Sequence, residues 1–385
     1  MTNHSIHDGD HEATAWRRQW ELAPDVIYLN HGGVGLSPRP VLDVWTDWIR
    51  RIDRQRAGFH FREAAGHLEK ARDRLARFIG TTHEDLAFVT NVTVGMLALA
   101  NTFPLASGDE VLITDHDYWS VQDIWRRACE RVGARLVVKP VPVPLTRQDE
   151  LIEKVLSAVT SRTRLLIFSH INYRTSLIMP AEALCRRARE LDVQVCIDGA
   201  HALGVRPIDV RRLDCDYYVA CCHKWLCAPA GTGFLYVHPR NQNMLEPLVA
   251  HSRGGWQDLT FIGTEDLSRY LSVPAALDFM EGAGLDDFRR RTHDLAQYAR
   301  HRISELTGLQ PFFPDSPDWY GSMIALPLPP CEDQKIRTAL WDRYRIESYI
   351  RRWNDLPLIR VSCHLYTRAT EIDRLVDALR ALGIP

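Results

Sequence analysis

Runs of β-branched, aromatic and aliphatic residues recur along the chain, separated by stretches whose apolar positions fall three and four residues apart. The strand-like runs are "VIYLN" (26–30), "DLAFVT" (85–90), "EVLIT" (110–114), "RLVVKPV" (135–141), "RLLIFSH" (164–170), "VQVCID" (193–198), "YYVACC" (217–222) and "GFLYVH" (233–238). Several are apolar at successive rather than alternate positions, as a strand covered on both faces requires. Between them "VGMLALANTF", "SVQDIWRRACERVG", "RQDELIEKVLSAV" and "PAEALCRRARELD" carry helical spacing. Strand and helix in alternation predict a largely parallel sheet with helices on both faces.

The flanks read differently. From Val41 to Phe78 the pattern predicts one or two long helices broken near "RAGFHF", and from Leu267 to Leu306 a second long helical stretch interrupted at Gly282 and Gly284. Beyond it "SMIALPL", "RIESYI" and "LIRVSCH" predict strands, and "RATEIDRLVDALRAL" a closing helix. The expected organisation is an N-terminal tail (1–18, its first dozen residues disordered), a large α/β domain (19–265), and a linking helix with a small C-terminal α+β domain (266–385).

Composition narrows the function classes. The chain has 385 residues, 45% hydrophobic and 25% charged, with a formal net charge of −2. Acidic and basic residues are interspersed, so no polyanion-binding face is expected and nucleic acid is excluded as a partner. No apolar run reaches the roughly 18–20 residues of a membrane helix, and the polar start carries no signal-like apolar core. Nine cysteines, an odd number scattered through a long chain, argue against a disulfide framework and for a reducing cytoplasm.

Candidate chemistry lies at strand ends, where open α/β sheets place their ligands. Asp198 closes "VQVCID"; a carboxylate there needs a cationic or hydrogen-bonding partner, and serves either as a helix cap or as a functional acid. Lys224 follows "YYVACC", boxed in by His223 and Trp225, and is either a strand-end lysine or a lysine with lowered pKa suited to Schiff-base chemistry. In "FVTNVTVGMLALA" a strand, a polar turn and a helix start make either an ordinary cap or a phosphate cradle. The cysteines around Lys224 are not spaced for metal: Cys221 and Cys222 are adjacent, Cys222 and Cys227 are at the wrong interval, and no second pair or CxxC exists. No metal is expected. An aspartate, a Schiff-base lysine and a phosphate cradle together are what pyridoxal phosphate requires.

With these in place, the segments "YLNHGGVGLSPRPV", "FVTNVTVGMLAL", "TDHDYWSV", "SHINYRTSLIMP", "CIDGAHALG", "CCHKWLCAPAGTGFLYV", "FIGTEDLSRYLSVPAAL" and "LIRVSCHLYT", in this order from Tyr28 to Thr367, resemble the class V aminotransferase family of fold type I pyridoxal-phosphate enzymes, in its branch of isopenicillin N epimerases and cysteine C–S lyases. The resemblance implies a large domain with a seven-stranded, mostly parallel sheet and a small C-terminal domain. It implies that Lys224 carries the cofactor and shuttles the α-proton, that Asp198 pairs with the pyridine nitrogen, and that His201 and Asn172 approach the ring hydroxyl. His116 or Tyr118 would stack on the ring, His116 being slightly preferred. Thr93, the Val94 amide and His223 would hold the phosphate, joined by Thr264 from a neighbouring subunit in a homodimer with shared sites. Arg360 would bind the substrate α-carboxylate, and Asn30, Tyr173 and Arg174 would shape the substrate site. Two departures stand out. Cys221 occupies a position that is often polar in the family, where a thiol is a poor donor, and "NYRT" replaces small residues common in the epimerase branch.

The reaction expected is C–S β-elimination of an S-conjugated cysteine in antibiotic or other natural-product metabolism, since elimination needs only the lysine as base. The alternatives are epimerisation, aminotransfer, and decarboxylation-coupled oxidative deamination. A non-enzymatic α/β binding module is disfavoured, no G-x-G-x-x-G following any predicted strand.

Overall fold

The computed structural model describes residues 3–247, 255–259 and 263–385. Its strands are β1 (Ile27–Tyr28), β2 (Leu86–Val89), β3 (Glu110–Thr114), β4 (Arg135–Lys139), β5 (Thr163–Ser169), β6 (Gln194–Asp198), β7 (Tyr217–Cys221), β8 (Gly233–Val237), β9 (Met323–Pro327), β10 (Ile346–Glu347), β11 (Tyr349–Trp353) and β12 (Leu356–Ser362). Seven of them form one sheet in the order β2-β8-β7-β6-β5-β3-β4, parallel except at β8, which runs against both neighbours. Every residue of β3, β7 and β8 is buried, which explains why these strands are apolar without alternation. The fold is the α/β, fold type I architecture that the resemblance implies.

The flanking predictions hold in outline. The stretch from residue 39 to residue 78 forms helices Arg39–Arg54 and Ala64–Phe78, separated at "RAGFHF" by a short turn and a π-helical segment, Phe59–Glu63. The later stretch forms Ser268–Leu271, Val273–Gly282 and Leu285–Thr307, the last beginning after Gly284 at φ +79°, a backbone angle that costs glycine little.

The C-terminal sheet is antiparallel, in the order β11-β12-β9, with Tyr349 opposite Arg360. The run "VIYLN" does not enter the seven-stranded sheet. Its core, β1, pairs in parallel with β10, and Asn30 bridges to Ser362, so the N-terminal segment is built onto the C-terminal unit. The expected disordered tail is also corrected: residues 3–17 form helices Asn3–Asp8 and Asp10–Arg17. The polar residues there have partners. Asp10 accepts from the amides of Ala369 (2.6 Å) and Thr370 (3.2 Å) at the start of the closing helix Ala369–Ala381, and Trp16 meets Phe279 edge-on. Among the described residues no helix is long and apolar enough to cross a membrane.

Candidate active site

The parallel strands deliver their carboxyl ends to one edge of the sheet, and there a cavity of about 430 Å³ opens, the position expected for a ligand in an open α/β fold. Asn91 and Thr93 reach it from beyond β2, Tyr118 from beyond β3, Ser169 from β5, Asp198 and His201 from β6, and Cys221, His223 and Lys224 from β7. The C-terminal sheet closes the other side with Tyr349, Arg351 and Arg360.

Asp198 is buried and accepts one hydrogen bond, from the Ala200 amide at 2.9 Å. Burial raises its pKa from 3.8 to about 6, although Lys224 opposes the rise. Burial likewise lowers the Lys224 amine below its ordinary value, against the pull of Cys221 and Asp198. Lys224 Nζ lies 3.2 Å from His201 Nε2. Burial, with Lys224 and Arg360 nearby, holds His201 well below the usual histidine range, so it is neutral, and its buried Nδ1 has no partner. Gly35 explains how the N-terminal segment crosses this motif: a Cβ there would lie 2.2 Å from the His223 carbonyl oxygen and 2.8 Å from Lys224 Cα.

At the cradle, two expectations are answered differently. The helix Val92–Thr102 is capped by Asn91, whose Oδ1 accepts from the Val94 amide at 3.0 Å. That amide is therefore spent on the cap, and Val94 does not line the cavity, which corrects its placement as an anion donor. Thr93 does line it, 3.4 Å from Ser120 Oγ. His223 Nδ1 is turned to the Thr232 backbone, 2.7 Å from its carbonyl oxygen and 3.3 Å from its amide nitrogen, which leaves Nε2 for the cavity. Cys221 lines the cavity with the Val92 amide directed at its sulfur, and burial pushes its thiol pKa up.

On the opposite side Arg360 is 2% exposed. It donates to the Tyr173 carbonyl (2.7 Å) and to Asn30 Oδ1 (3.1 Å), lies 4.3 Å from the Tyr349 ring centroid, and leaves Nε without a partner. No carboxylate pairs with it among the described residues, and burial lowers its pKa to about 10. A buried guanidinium with spare donors facing a cavity is suited to an anionic ligand. Asn30 and the Tyr173 carbonyl thus orient Arg360, and Tyr173 itself lines the cavity.

Three other expected residues, His116, Asn172 and Arg174, do not line the cavity, and Thr264 is expected at a neighbouring subunit's site. His116 does not line the cavity: its Nε2 lies 2.8 Å from the Val141 carbonyl, its Nδ1 3.0 Å from Thr175 Oγ1, and its ring meets Trp353 edge-on. Tyr118, the other aromatic of this turn, lines the cavity, edge-on to Tyr173. Asn172 is fully buried behind the cavity wall, its amide donating to Leu177 O and its Oδ1 without a partner. Arg174 turns away, over the Tyr173 ring and toward the Arg352 carbonyl. Thr264 is exposed, and the residues before it in "FIGT", 261 and 262, lie outside the described residues.

Sequence reasoning missed Tyr349, Arg351, Asn91 and Ser169 as cavity residues. It also missed that Cys227 joins His31 and His364, whose ligand-type atoms come within 4.8 Å of one another. The two imidazoles are stacked, 4.0 Å apart at 24°, so their lone pairs run side by side rather than converging, and His31 Nε2 lies 3.1 Å from the Lys224 carbonyl. The cluster is a hydrogen-bonded floor beneath the lysine.

The residues present fit pyridoxal phosphate. The buried Asp198 has acceptor capacity left for a protonated ring nitrogen, and among the described residues Lys224 has no carboxylate partner and His201 Nδ1 no partner at all. Comparison with known proteins agrees. The chain is 39% identical over 96% of its length to an isopenicillin N epimerase from Amycolatopsis lactamdurans, of which the match covers 99%. It is 35% identical over 94% to the isopenicillin N epimerase of Streptomyces clavuligerus, covering 96% of that protein. A probable L-cysteine desulfhydrase of Arabidopsis thaliana is 28% identical over 93% of this chain and 84% of its own length. Among solved structures, a mutant of the C–S lyase C-DES with glycine linked to its PLP cofactor matches with TM-score 0.81 at 24% identity, over 96% of this chain and 99% of that one. Residues 27–375 match the family model "Aminotransferase class-V", and the chain belongs to that family of pyridoxal-phosphate-dependent enzymes.

Proposed function

We propose that the protein epimerises an amino acid at its α-carbon. The sequence alone favours C–S elimination because it offers no certain second base; two considerations reverse that order. The relatives at 39% and 35% identity are named as epimerases. The observation that carries the choice is that the cavity lined by Lys224 is also lined by Tyr118, Tyr173 and Tyr349. Burial raises the pKa of Tyr118 and Tyr173, keeping both protonated as donors.

In this reading bound pyridoxal phosphate supplies the electron sink that acidifies the α-proton. Arg360 holds the substrate carboxylate. Asp198 would support positive charge on the ring nitrogen, His201 would reach the ring hydroxyl, and Thr93 with His223 would hold the phosphate. Lys224, its amine favoured in the neutral form by burial, takes the α-proton from one face, and a phenol returns a proton to the other. A homodimer in a reducing cytoplasm completes the proposal, in keeping with nine free cysteines.

The test is incubation of the holoenzyme with L-amino acids in D₂O, following chirality, deuterium, pyruvate and carbon dioxide. Inversion with deuterium incorporation and no pyruvate is expected. Pyruvate from S-alkyl cysteines without inversion would overturn epimerisation and support elimination, the reading favoured by the desulfhydrase relative. Sulfur transfer through a thiolate is disfavoured, because among the described residues Cys221 is the one cysteine lining the cavity and burial pushes its thiol pKa up.

A further inference from the structure

We infer that the cavity contains a second anion subsite, built on Arg351, and that the substrate is an amino acid bearing a second carboxylate on its side chain. The inference rests on reading Arg360 as the α-carboxylate site.

Strand alternation puts Tyr349 and Arg351 on one face of β11 and Arg352 on the other. Arg352 is consumed by the fold: it meets Asp333 (3.3 Å) and donates to the carbonyls of Cys331 (2.7 Å) and Asp355 (3.0 Å). Arg351 lines the cavity instead, and has no ion pair or hydrogen bond among the described residues. Its guanidinium lies 5.8 Å from the Tyr349 ring centroid, the ring that also carries Arg360 at 4.3 Å.

The register fixes the relation between the two cations. Tyr349 is opposite Arg360 and Arg351 is opposite Leu358, so Arg351 and Arg360 are diagonal neighbours on the same face, with Cβ atoms roughly 7 Å apart. Two guanidinium groups facing one cavity repel unless anions lie against both. Among the described residues the only carboxylate lining the cavity is Asp198, which belongs to the sheet side with Lys224. An anion on Arg360 leaves Arg351 uncompensated. A ligand with carboxylates at both ends of a short aliphatic chain satisfies both forks, and a guanidinium is suited to bidentate carboxylate recognition.

The experiment uses the holoenzyme and calorimetric titration with glutarate and adipate, against their monoamides of equal length. Each dicarboxylate is expected to bind at least about ten-fold more tightly than its monoamide, the factor that ~1.4 kcal/mol represents. Arg351→Gln brings the dicarboxylate down to the monoamide's affinity, Arg351→Lys keeps part of the advantage, and Arg360→Lys weakens both ligands. Equal affinities in the unmodified enzyme, no binding of either ligand, or an advantage that survives Arg351→Gln each overturn the inference. α-Deuterium exchange on glutamate and on norleucine, measured in parallel, scores the proposed reaction separately, exchange on either one counting for it. Exchange without a dicarboxylate advantage sinks the subsite alone, and the advantage without exchange sinks the reaction alone.

Discussion

Two carboxylates are buried in the same sheet, at opposite ends, and the chain treats them in opposite ways. Glu110 opens β3 with a side chain 1% exposed. It is held by Arg135 and Arg162 and accepts from Thr160 Oγ1 at 2.8 Å and Thr163 Oγ1 at 3.4 Å. Burial alone would raise its pKa, but these partners hold it below the ordinary carboxylate value. Asp198 closes β6 with one amide donor and no arginine, and burial pushes it up to about 6. The first acid is satisfied by the fold, whereas the second is kept short of partners and costs stability until a cationic ligand arrives. An unsatisfied charge at the carboxyl edge and a satisfied one at the amino edge separate site from scaffold.

The largest break in this comparison comes from the lysine beside the unsatisfied acid. Lys224→Ala is expected to lower turnover by at least about 10³-fold and to abolish the visible absorbance that the holoenzyme shows after incubation with pyridoxal phosphate. An intact band and intact turnover in the variant would refute the role of Lys224.

Asp198→Asn sharpens the comparison because it moves activity and stability in opposite directions. Turnover should fall by roughly 10²-fold with loss of the electrostatic partner. The apoprotein should become more stable. An acid whose folded pKa lies above its unfolded value binds more protons when folded, so its cost is absent below about pH 3.8, grows through the window to about pH 6, and is complete above it. The rise from 3.8 to about 6 corresponds to about 3 kcal/mol. Denaturant unfolding of apoprotein at pH 8 should show a gain of that order, and unfolding at pH 4 should show little. Glu110→Gln should do the reverse, costing about 2 kcal/mol of stability through its lost charged hydrogen bonds, with kcat unchanged because Glu110 is at the far end of the sheet.

How far the sequence discloses this division depends on how local the cause is. The buried strands are legible, since a strand covered on both faces must be apolar throughout, and Asp198 and Lys224 are legible as polar residues ending such runs. The destination of "VIYLN" is not, because its partner β10 lies more than 300 residues away and nothing in the five residues encodes it. The helices of residues 3–17 are hidden likewise, their polar residues being matched by Ala369, Thr370 and other distant groups. The Val94 amide was misassigned because an N-cap and an anion cradle use the same donors, and Asn91 supplies its own acceptor. Arg351 was invisible because "RR" on a short strand does not say which arginine faces the cavity.

The pair His116 and Tyr118 tests the same distinction at its finest grain, two residues apart on one turn. Both were expected near the cofactor ring; His116 has both nitrogens bound to scaffold groups, Val141 O and Thr175 Oγ1, while the Tyr118 ring lines the cavity. An aromatic contact of this kind contributes about 1 kcal/mol beyond its buried area, so Tyr118→Leu should weaken pyridoxal phosphate binding by about five- to ten-fold in a fluorescence titration while leaving the thermal midpoint of the apoprotein nearly in place. His116→Leu leaves a buried carbonyl and a hydroxyl unpaired, which costs about 1–3 kcal/mol. It should therefore lower the midpoint by several degrees with little change in cofactor affinity per folded molecule. If the two effects were exchanged, His116 would be the stacking residue after all, and the side-chain partners that separate scaffold from site at this turn would have been assigned the wrong way round.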